Sequence, residues 1–253
     1  MTNPRPPADL DGRDAADDRS RRVAALFDDA AGDYERVGET LALGSGSWYR
    51  RFALRRAGLR PGMTLLDVAT GTGLVGRAGV RILGDPGRVV GVDANAAMLR
   101  EAARRAGASS LVQGRAESLP FRAGRFDVVS IGYLFRYVDD LETIVRECRR
   151  VLKPGGRLLA LELSRPKSRA ARWLVQTHLE RVLPRIVAFR TRSRPAEVLT
   201  RYCWVTIEQG VAPETILALL RQGGFVDVRR HVWFGLFGEY FATKPAASPA
   251  VAA

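Results

Sequence analysis

The feature that most constrains this chain is a glycine-rich loop set directly behind a short apolar strand, Leu65-Leu66-Asp67-Val68-Ala69-Thr70-Gly71-Thr72-Gly73-Leu74-Val75-Gly76. Glycine is needed where a backbone must turn sharply and let a ligand come close, and here the turn leads straight into a helical pattern. The segments around it alternate. A strand over 64–68 is followed by a helix near 74–83, a strand over 89–92, a helix near 97–106 and strands over 111–113 and 128–131. A helix near 141–152, the turn Lys153-Pro154-Gly155-Gly156 and a strand over 157–162 complete the series. Such alternation requires right-handed crossovers, so it predicts a doubly wound, mostly parallel α/β sheet with helices on both faces.

The flanks depart from that rhythm. Apolar residues at helical spacing predict a helix from Ser20 to Tyr34, stopped by Gly32, and a second from Trp48 to Ala57. Between Ser164 and Thr206 the alternation ends, and Arg-dotted helical segments predict an insertion, about 165–206, over the sheet's edge. A helix over 213–222 then precedes two extended segments, 226–233 and 237–243, which would close the sheet as an antiparallel hairpin. Residues 20–244 read as one domain, with disordered ends at 1–19 and 245–253.

At 253 residues and 46% hydrophobic content the chain can bury one such domain but not two large ones. Its longest apolar runs, Val89–Val92 and Leu158–Leu161, are strand-sized and far below the roughly 20 residues of a membrane span. The Asp-, Arg- and Pro-rich start lacks the apolar core of a secretory signal. Cys148 and Cys203 have no C-x-x-C pairing or neighbouring His, so neither a disulfide framework nor a metal site is expected, and a reducing cytoplasm fits. A net charge of +13 ordinarily points to nucleic acid or an anionic membrane. Here the 40 basic residues include only three lysines beside abundant Ala and Gly, the bias of a GC-rich coding sequence. The charge is read first as composition and second as a patch facing the inner membrane surface; nucleic acid is not the expected partner, and a homodimer is left open.

Gly71, Gly73 and Gly76 also spell G-x-G-x-x-G, and Asp93 lies 20 residues beyond Gly73, so a dinucleotide fingerprint is matched literally. Asp67 tells against it, because a pyrophosphate would bring two negative charges toward a loop that already holds a carboxylate. S-adenosylmethionine instead brings an ammonium, a sulfonium and one carboxylate, which suit an acidic group beside exposed amides. The competing reading is that Asp67 only caps the turn. Asp93 closes the second strand, where a carboxylate can accept both hydroxyls of a ribose.

Two further stretches carry a family resemblance. Gln113-Gly114-Arg115-Ala116-Glu117-Ser118-Leu119-Pro120-Phe121, with Arg125-Phe126-Asp127-Val128-Val129, resembles the adenine-side segment of class I S-adenosylmethionine methyltransferases. Arg150 to Ser164 resembles the second signature of the UbiE-type methyltransferases of ubiquinone and menaquinone biosynthesis, and the likeness extends to Phe27, Tyr34, Arg136 and Val182–Ile186. The resemblance implies a Rossmann-like methyltransferase that uses S-adenosylmethionine, releases S-adenosylhomocysteine and needs no metal. It implies cofactor contacts from Asp67, Thr70, Gly71, Thr72, Gly73, Asp93, Ala94, Arg115, Ala116, Glu117 and Gly132. Tyr34 would close over the methyl donor. Arg115 stands where the family carries an acidic or amide side chain, and a guanidinium cannot accept a hydrogen bond from adenine, so that contact falls to backbone, to Glu117 or to stacking.

The acceptor implied by the resemblance is a small aromatic, quinol-like and prenylated or hydroxylated, methylated on a ring carbon. Arg136 follows a strand end, where open α/β sheets place ligands, and is the candidate for orienting or stabilising a phenolate, with an ion pair to Asp139 or Asp140 as the structural alternative. Tyr133, Tyr137, Arg185 and Tyr202 are further pocket candidates, and Trp48, Trp173 and Trp204 could line an aromatic pocket. The family's His before Trp is absent here, replaced by Gly44-Ser45-Gly46-Ser47-Trp48, and neither His178 nor His231 aligns with it. Other readings remain: O- or N-methylation of a secondary metabolite, a non-catalytic or RNA-associated protein using its arginines, or NAD-dependent oxidoreduction.

Overall fold

The computed structural model describes residues 25–29, 31–41, 46–105 and 110–246, without the side chains of residues 39, 41, 195, 201 and 202. The expected disordered leader, and residues 247–253 of the expected tail, lie outside this range. Seven strands form one sheet: β1 (Leu65–Val68), β2 (Val89–Asp93), β3 (Ser110–Gln113), β4 (Phe126–Gly132), β5 (Leu152–Leu163), β6 (Val226–Trp233) and β7 (Phe237–Thr243). Their order is β3-β2-β1-β4-β5-β7-β6, with only β7 antiparallel to its neighbours. The strand order reverses between β1 and β4, so a crevice opens beyond their carboxyl ends, where ligands bind in doubly wound sheets.

The alternation seen in the sequence becomes two cores. Leu66, Val129, Leu158 and Tyr240 face one side of the sheet, and their chain neighbours Leu65, Val128, Leu159 and Phe241 the other. All eight are buried; each such side chain contributes about 1.5–3 kcal/mol over exposure. The flanking helices are α1 (Tyr34–Leu41), α2 (Gly46–Arg56), α3 (Leu74–Leu83), α4 (Ala96–Arg104), α5 (Leu141–Val151), α6 (Arg169–Thr177), α7 (Leu183–Thr191), α8 (Arg194–Glu208) and α9 (Pro213–Gln222). Local chemistry sets their ends: Asn95 accepts from the Met98 amide to start α4, Asp140 from Thr143 to start α5, and Gly84, at φ 71, closes α3.

Three expectations need correction. The leading helix is not continuous from Ser20 to Tyr34: a helix at 25–29 gives way to a turn, and Tyr34 opens α1 instead of ending its predecessor. The Lys153–Gly156 turn is absorbed into β5 as a bulge, with Gly155 at φ 74 and the pairing stepping from Phe126↔Leu152 to Val128↔Arg157. The insertion does not lie over the sheet's edge. Its helices α6, α7 and α8, with a π-helical turn at His178–Val182, pack on Val37 of α1 and Leu163 at the end of β5 through Leu179, Leu183, Val187 and Trp204.

Candidate active site

Asp67 sits within β1, and both its oxygens are engaged. Oδ2 accepts from the Thr70 hydroxyl at 2.7 Å and the Gly76 amide at 3.0 Å, and Oδ1 from the Ser130 hydroxyl at 2.7 Å. It therefore braces the loop to α3 and β4, as the capping alternative supposed, while its charge lies beneath the turn. Burial raises its pKa to about 6, against the pull of those three donors. Above it the backbone turns through left-handed conformations at Ala69 (φ 53), Gly71 (φ 56) and Gly73 (φ 85). Asp93 accepts from the Gly71 amide at 2.8 Å and the Asn95 amide at 2.8 Å, and each oxygen keeps a lone pair for further donors.

This loop fits the cofactor read from the sequence. The Thr72 hydroxyl is buried without a hydrogen-bond partner, and Gly73 offers no side-chain cap to α3, so a polar group and a positive helix end both await a ligand. Farther along, Arg150 donates to the Phe121 carbonyl at 2.7 Å and the Leu119 carbonyl at 2.9 Å, and Glu147 accepts from the Leu119 amide at 2.8 Å. The first residue of the second signature thus holds the adenine-side segment in place. Arg115 points outward and pairs with Glu117 at 3.3 Å. Helix α1 is fastened over the loop by Glu35, which accepts from Arg77 and, at 2.9 Å, from Arg105, while Arg77 also donates to the Thr72 carbonyl at 2.7 Å.

Beside the loop opens a cavity of about 260 Å³. Tyr34, Tyr133, Arg136 and Tyr137 line it, together with Trp48. Arg136 is 8% exposed and does not pair with Asp139 or Asp140: its Nη2 lies 3.0 Å from Glu162 Oε2, and Asp140 is occupied as the α5 cap. Glu162 Oε1 accepts the Phe135 amide at 2.9 Å, which locks the pair to the chain after β4. The guanidinium stands 5.6 Å from the ring centres of both Tyr133 and Tyr137, and its Nε is buried without a partner. Burial works against its charge, but Glu162, Tyr137, Cys203 and Tyr34 together hold its pKa above the ordinary value. Burial likewise raises the Tyr34, Tyr133 and Tyr137 hydroxyls, opposed by Arg136, so none is a base at neutral pH.

Other sequence candidates lie elsewhere or go undescribed. Arg185 is exposed on α7, Trp173 is 67% exposed on α6, and Trp204 belongs to the insertion core. The Tyr202 side chain lies outside the described residues. Sequence reading missed Glu35, Tyr49, Glu162 and Trp233. Glu162 carried a signal, a carboxylate inside the apolar strand Leu158-Leu159-Ala160-Leu161-Glu162-Leu163; Glu35 carried none, because its partners are 42 and 70 residues away.

The ubiE/COQ5 methyltransferase family matches this chain over residues 15–244. The ubiquinone/menaquinone biosynthesis C-methyltransferase UbiE of Shewanella woodyi is 32% identical over 219 residues, 84% of this chain and 86% of that protein. Among solved structures, an S-adenosylmethionine-dependent methyltransferase of Aquifex aeolicus superposes with a TM-score of 0.57 at 17% identity, covering 77% of this chain and 89% of its own. Phosphoethanolamine N-methyltransferase 2 of Haemonchus contortus, in complex with S-adenosylmethionine, gives 0.56 at 17% identity, covering 78% of this chain and 53% of its own. Sheet order, glycine loop and these likenesses define a class I S-adenosylmethionine-dependent methyltransferase. Within that class, the chain belongs to the ubiE/COQ5 methyltransferase family.

Proposed function

We propose that this enzyme methylates a ring carbon of a hydroxylated, quinol-like aromatic held in the cavity beside the glycine loop. The observation that carries the reading is Arg136, a buried guanidinium with a free Nε between two tyrosine rings in a largely apolar pocket. Such a group is a poor base but a strong stabiliser of a phenolate. When bound, S-adenosylmethionine supplies an electrophilic methyl group. Asp93 and the Gly71–Gly73 backbone would hold its ribose and methionine portions, Thr72 would add a hydroxyl, Ala116 and Glu117 would serve its adenine, and Tyr34 would close over it from α1. Holding the acceptor in line is the chain's main contribution to rate.

A prenylated acceptor would be met at a lipid surface, and no helix among the described residues is long and apolar enough to cross a membrane. Trp173, Leu174 and Phe189, exposed on the arginine-bearing insertion, support peripheral contact with an anionic inner membrane face. Calorimetric titration with S-adenosylmethionine, followed by transfer of a labelled methyl group to a short-chain prenylhydroquinone, tests the main reading. Binding heat and organic-phase label are expected; absence of either overturns it. Sedimentation with phosphatidylglycerol vesicles tests the membrane contact, which no salt-sensitive pelleting would remove.

A further inference from the structure

Strand β7 carries a carboxylate where its pattern calls for an apolar residue. Phe237, Glu239 and Phe241 alternate onto the sheet face covered by α2, and Glu239 is 0% exposed. Among the described residues it forms an ion pair with Arg56 Nε at 3.4 Å, and neither of its oxygens completes a hydrogen bond. Two turns back along α2, on the same side, stands Tyr49. The Tyr49 ring lies 5.3 Å from that of Phe237 and lines the acceptor cavity, while its hydroxyl is buried without a partner. Trp233, also a cavity wall, neighbours Glu239 and carries the Arg56 guanidinium 5.0 Å over its ring. Buried polar atoms left open in a native site call for a ligand or a role.

Among the described residues that line the cavity there is no carboxylate and no imidazole, and the family's His is absent from the sequence. His231 sits across the strand pair from Glu239 but is exposed. A phenolic acceptor must nonetheless lose its O–H proton before the ring carbon becomes strongly nucleophilic.

We propose that Tyr49 and Glu239 form the proton-accepting pair of this site, the Tyr49 hydroxyl taking the acceptor's proton while passing its own to Glu239. This rests on the reading that the cavity holds a phenolic acceptor. The acceptor O–H bond breaks and its electron pair stays on oxygen as a phenolate facing Arg136; a new O–H bond forms at Tyr49 as the old one breaks, and that proton ends on the Glu239 carboxylate. A hydroxyl can accept and donate at once, which a guanidinium cannot. Burial raises the Tyr49 hydroxyl far above its ordinary value, so it serves as a relay and not as a standing phenolate. Burial also raises Glu239, opposed by Arg56 and the Trp233 indole, which brings a carboxylate nearer the pKa suited to a base at neutral pH. The groups facing Glu239 are Tyr49 and Arg56 from α2 and Trp233 and His231 from β6; Leu161, its partner on β5, is apolar. The hydroxyl and carboxylate are not hydrogen-bonded in the free enzyme, and such contacts commonly tighten when substrate binds.

The test uses 4-nitrophenol, whose phenolate absorbs visibly, with wild type, Glu239→Gln and Tyr49→Phe. Below the free phenol's pKa, wild type should bind the probe and generate the phenolate band, whereas both variants should bind it with the band suppressed; Glu239→Asp should restore part. With a short-chain prenylhydroquinone, kcat should fall about 100-fold in Glu239→Gln while KM and S-adenosylmethionine affinity hold, and the acidic limb of the kcat profile should flatten. If Glu239→Gln does not fold, Tyr49→Phe carries the same readouts. An unchanged band and rate in the variants overturns the pair, as does loss of rate matched by loss of binding. Failure of wild type to bind the probe overturns the phenolic-acceptor reading and the pair with it.

Discussion

The glycine loop and the acceptor cavity lie side by side yet are built on opposite principles. Around Asp67 and Asp93 every carboxylate oxygen has a donor, supplied by Thr70, Gly71, Gly76, Asn95 and Ser130. In the cavity and its wall, Arg136 Nε, the Tyr49 hydroxyl and both Glu239 oxygens are buried without hydrogen bonds. A satisfied polar network is rigid and preorganised, whereas open polar atoms in an apolar wall cost stability until a ligand engages them. Apart from the Thr72 hydroxyl, the donor side is therefore a scaffold completed by folding, and the acceptor side one completed by substrate.

Substitutions can break that contrast. The largest effect is expected at Arg136→Met, which strands the buried Glu162 carboxylate: about 3–5 kcal/mol of stability in urea unfolding and a kcat loss of about 100- to 1000-fold. Adding Glu162→Gln should recover stability but not turnover; recovery of both would reduce Arg136 to a structural role. Asp67→Ala leaves three buried donors open and should cost about 3 kcal/mol, whereas Asp93→Ala, bonded only to loop amides, should lose cofactor affinity with far less stability. Equal melting of the two variants would erase the distinction between brace and ligand.

Glu35→Gln loosens α1 from Arg77 and Arg105, with an expected loss of about 1–2 kcal/mol and a raised KM for S-adenosylmethionine at nearly unchanged kcat. A pH effect of comparable size follows from Asp67, whose pKa of about 6 means that its carboxylate is lost as pH falls through that value. The proton then meets three donors already pointing at the oxygens, so cofactor affinity should weaken about tenfold from pH 7 to pH 5, and Asp67→Asn should abolish that slope. The smallest effect belongs to Arg115→Ala: the side chain is exposed and, among the described residues, paired with Glu117, so stability should stay within about 0.5 kcal/mol and cofactor affinity should barely move.

The same contrast explains what the sequence revealed. The donor side is local: Asp67 to Gly76 is one contiguous turn, and Asp93 ends the next strand, so periodicity and glycine spacing expose it. The cavity is gathered from α1, α2, the ends of β4 and β5, α8 and the β6–β7 hairpin, and no window of sequence contains it. Tyr34, Tyr133, Arg136 and Tyr137 were readable because they sit beside strand ends or a family motif. Glu162 and Glu239 announced themselves only as carboxylates in apolar strands, a local inconsistency of the kind that marks function. The Arg136–Glu162 pair was invisible because nearer acids, Asp139 and Asp140, offered a simpler partner; the latter is consumed by a helix cap. Gly32 reads as a stop and so puts Tyr34 at the end of a helix, whereas the turn at 31–33 starts a new one.

The most direct test of the two-sided site is methylation of a short-chain prenylhydroquinone deuterated on its ring, followed by mass spectrometry of the product. Attack by a ring carbon activated beside Arg136 requires that each methyl gained expel one deuterium, with the yield collapsing in Arg136→Met. A product that gains methyl while keeping every ring deuterium would mean transfer to oxygen, and would contradict the assignment of this cavity to C-methylation.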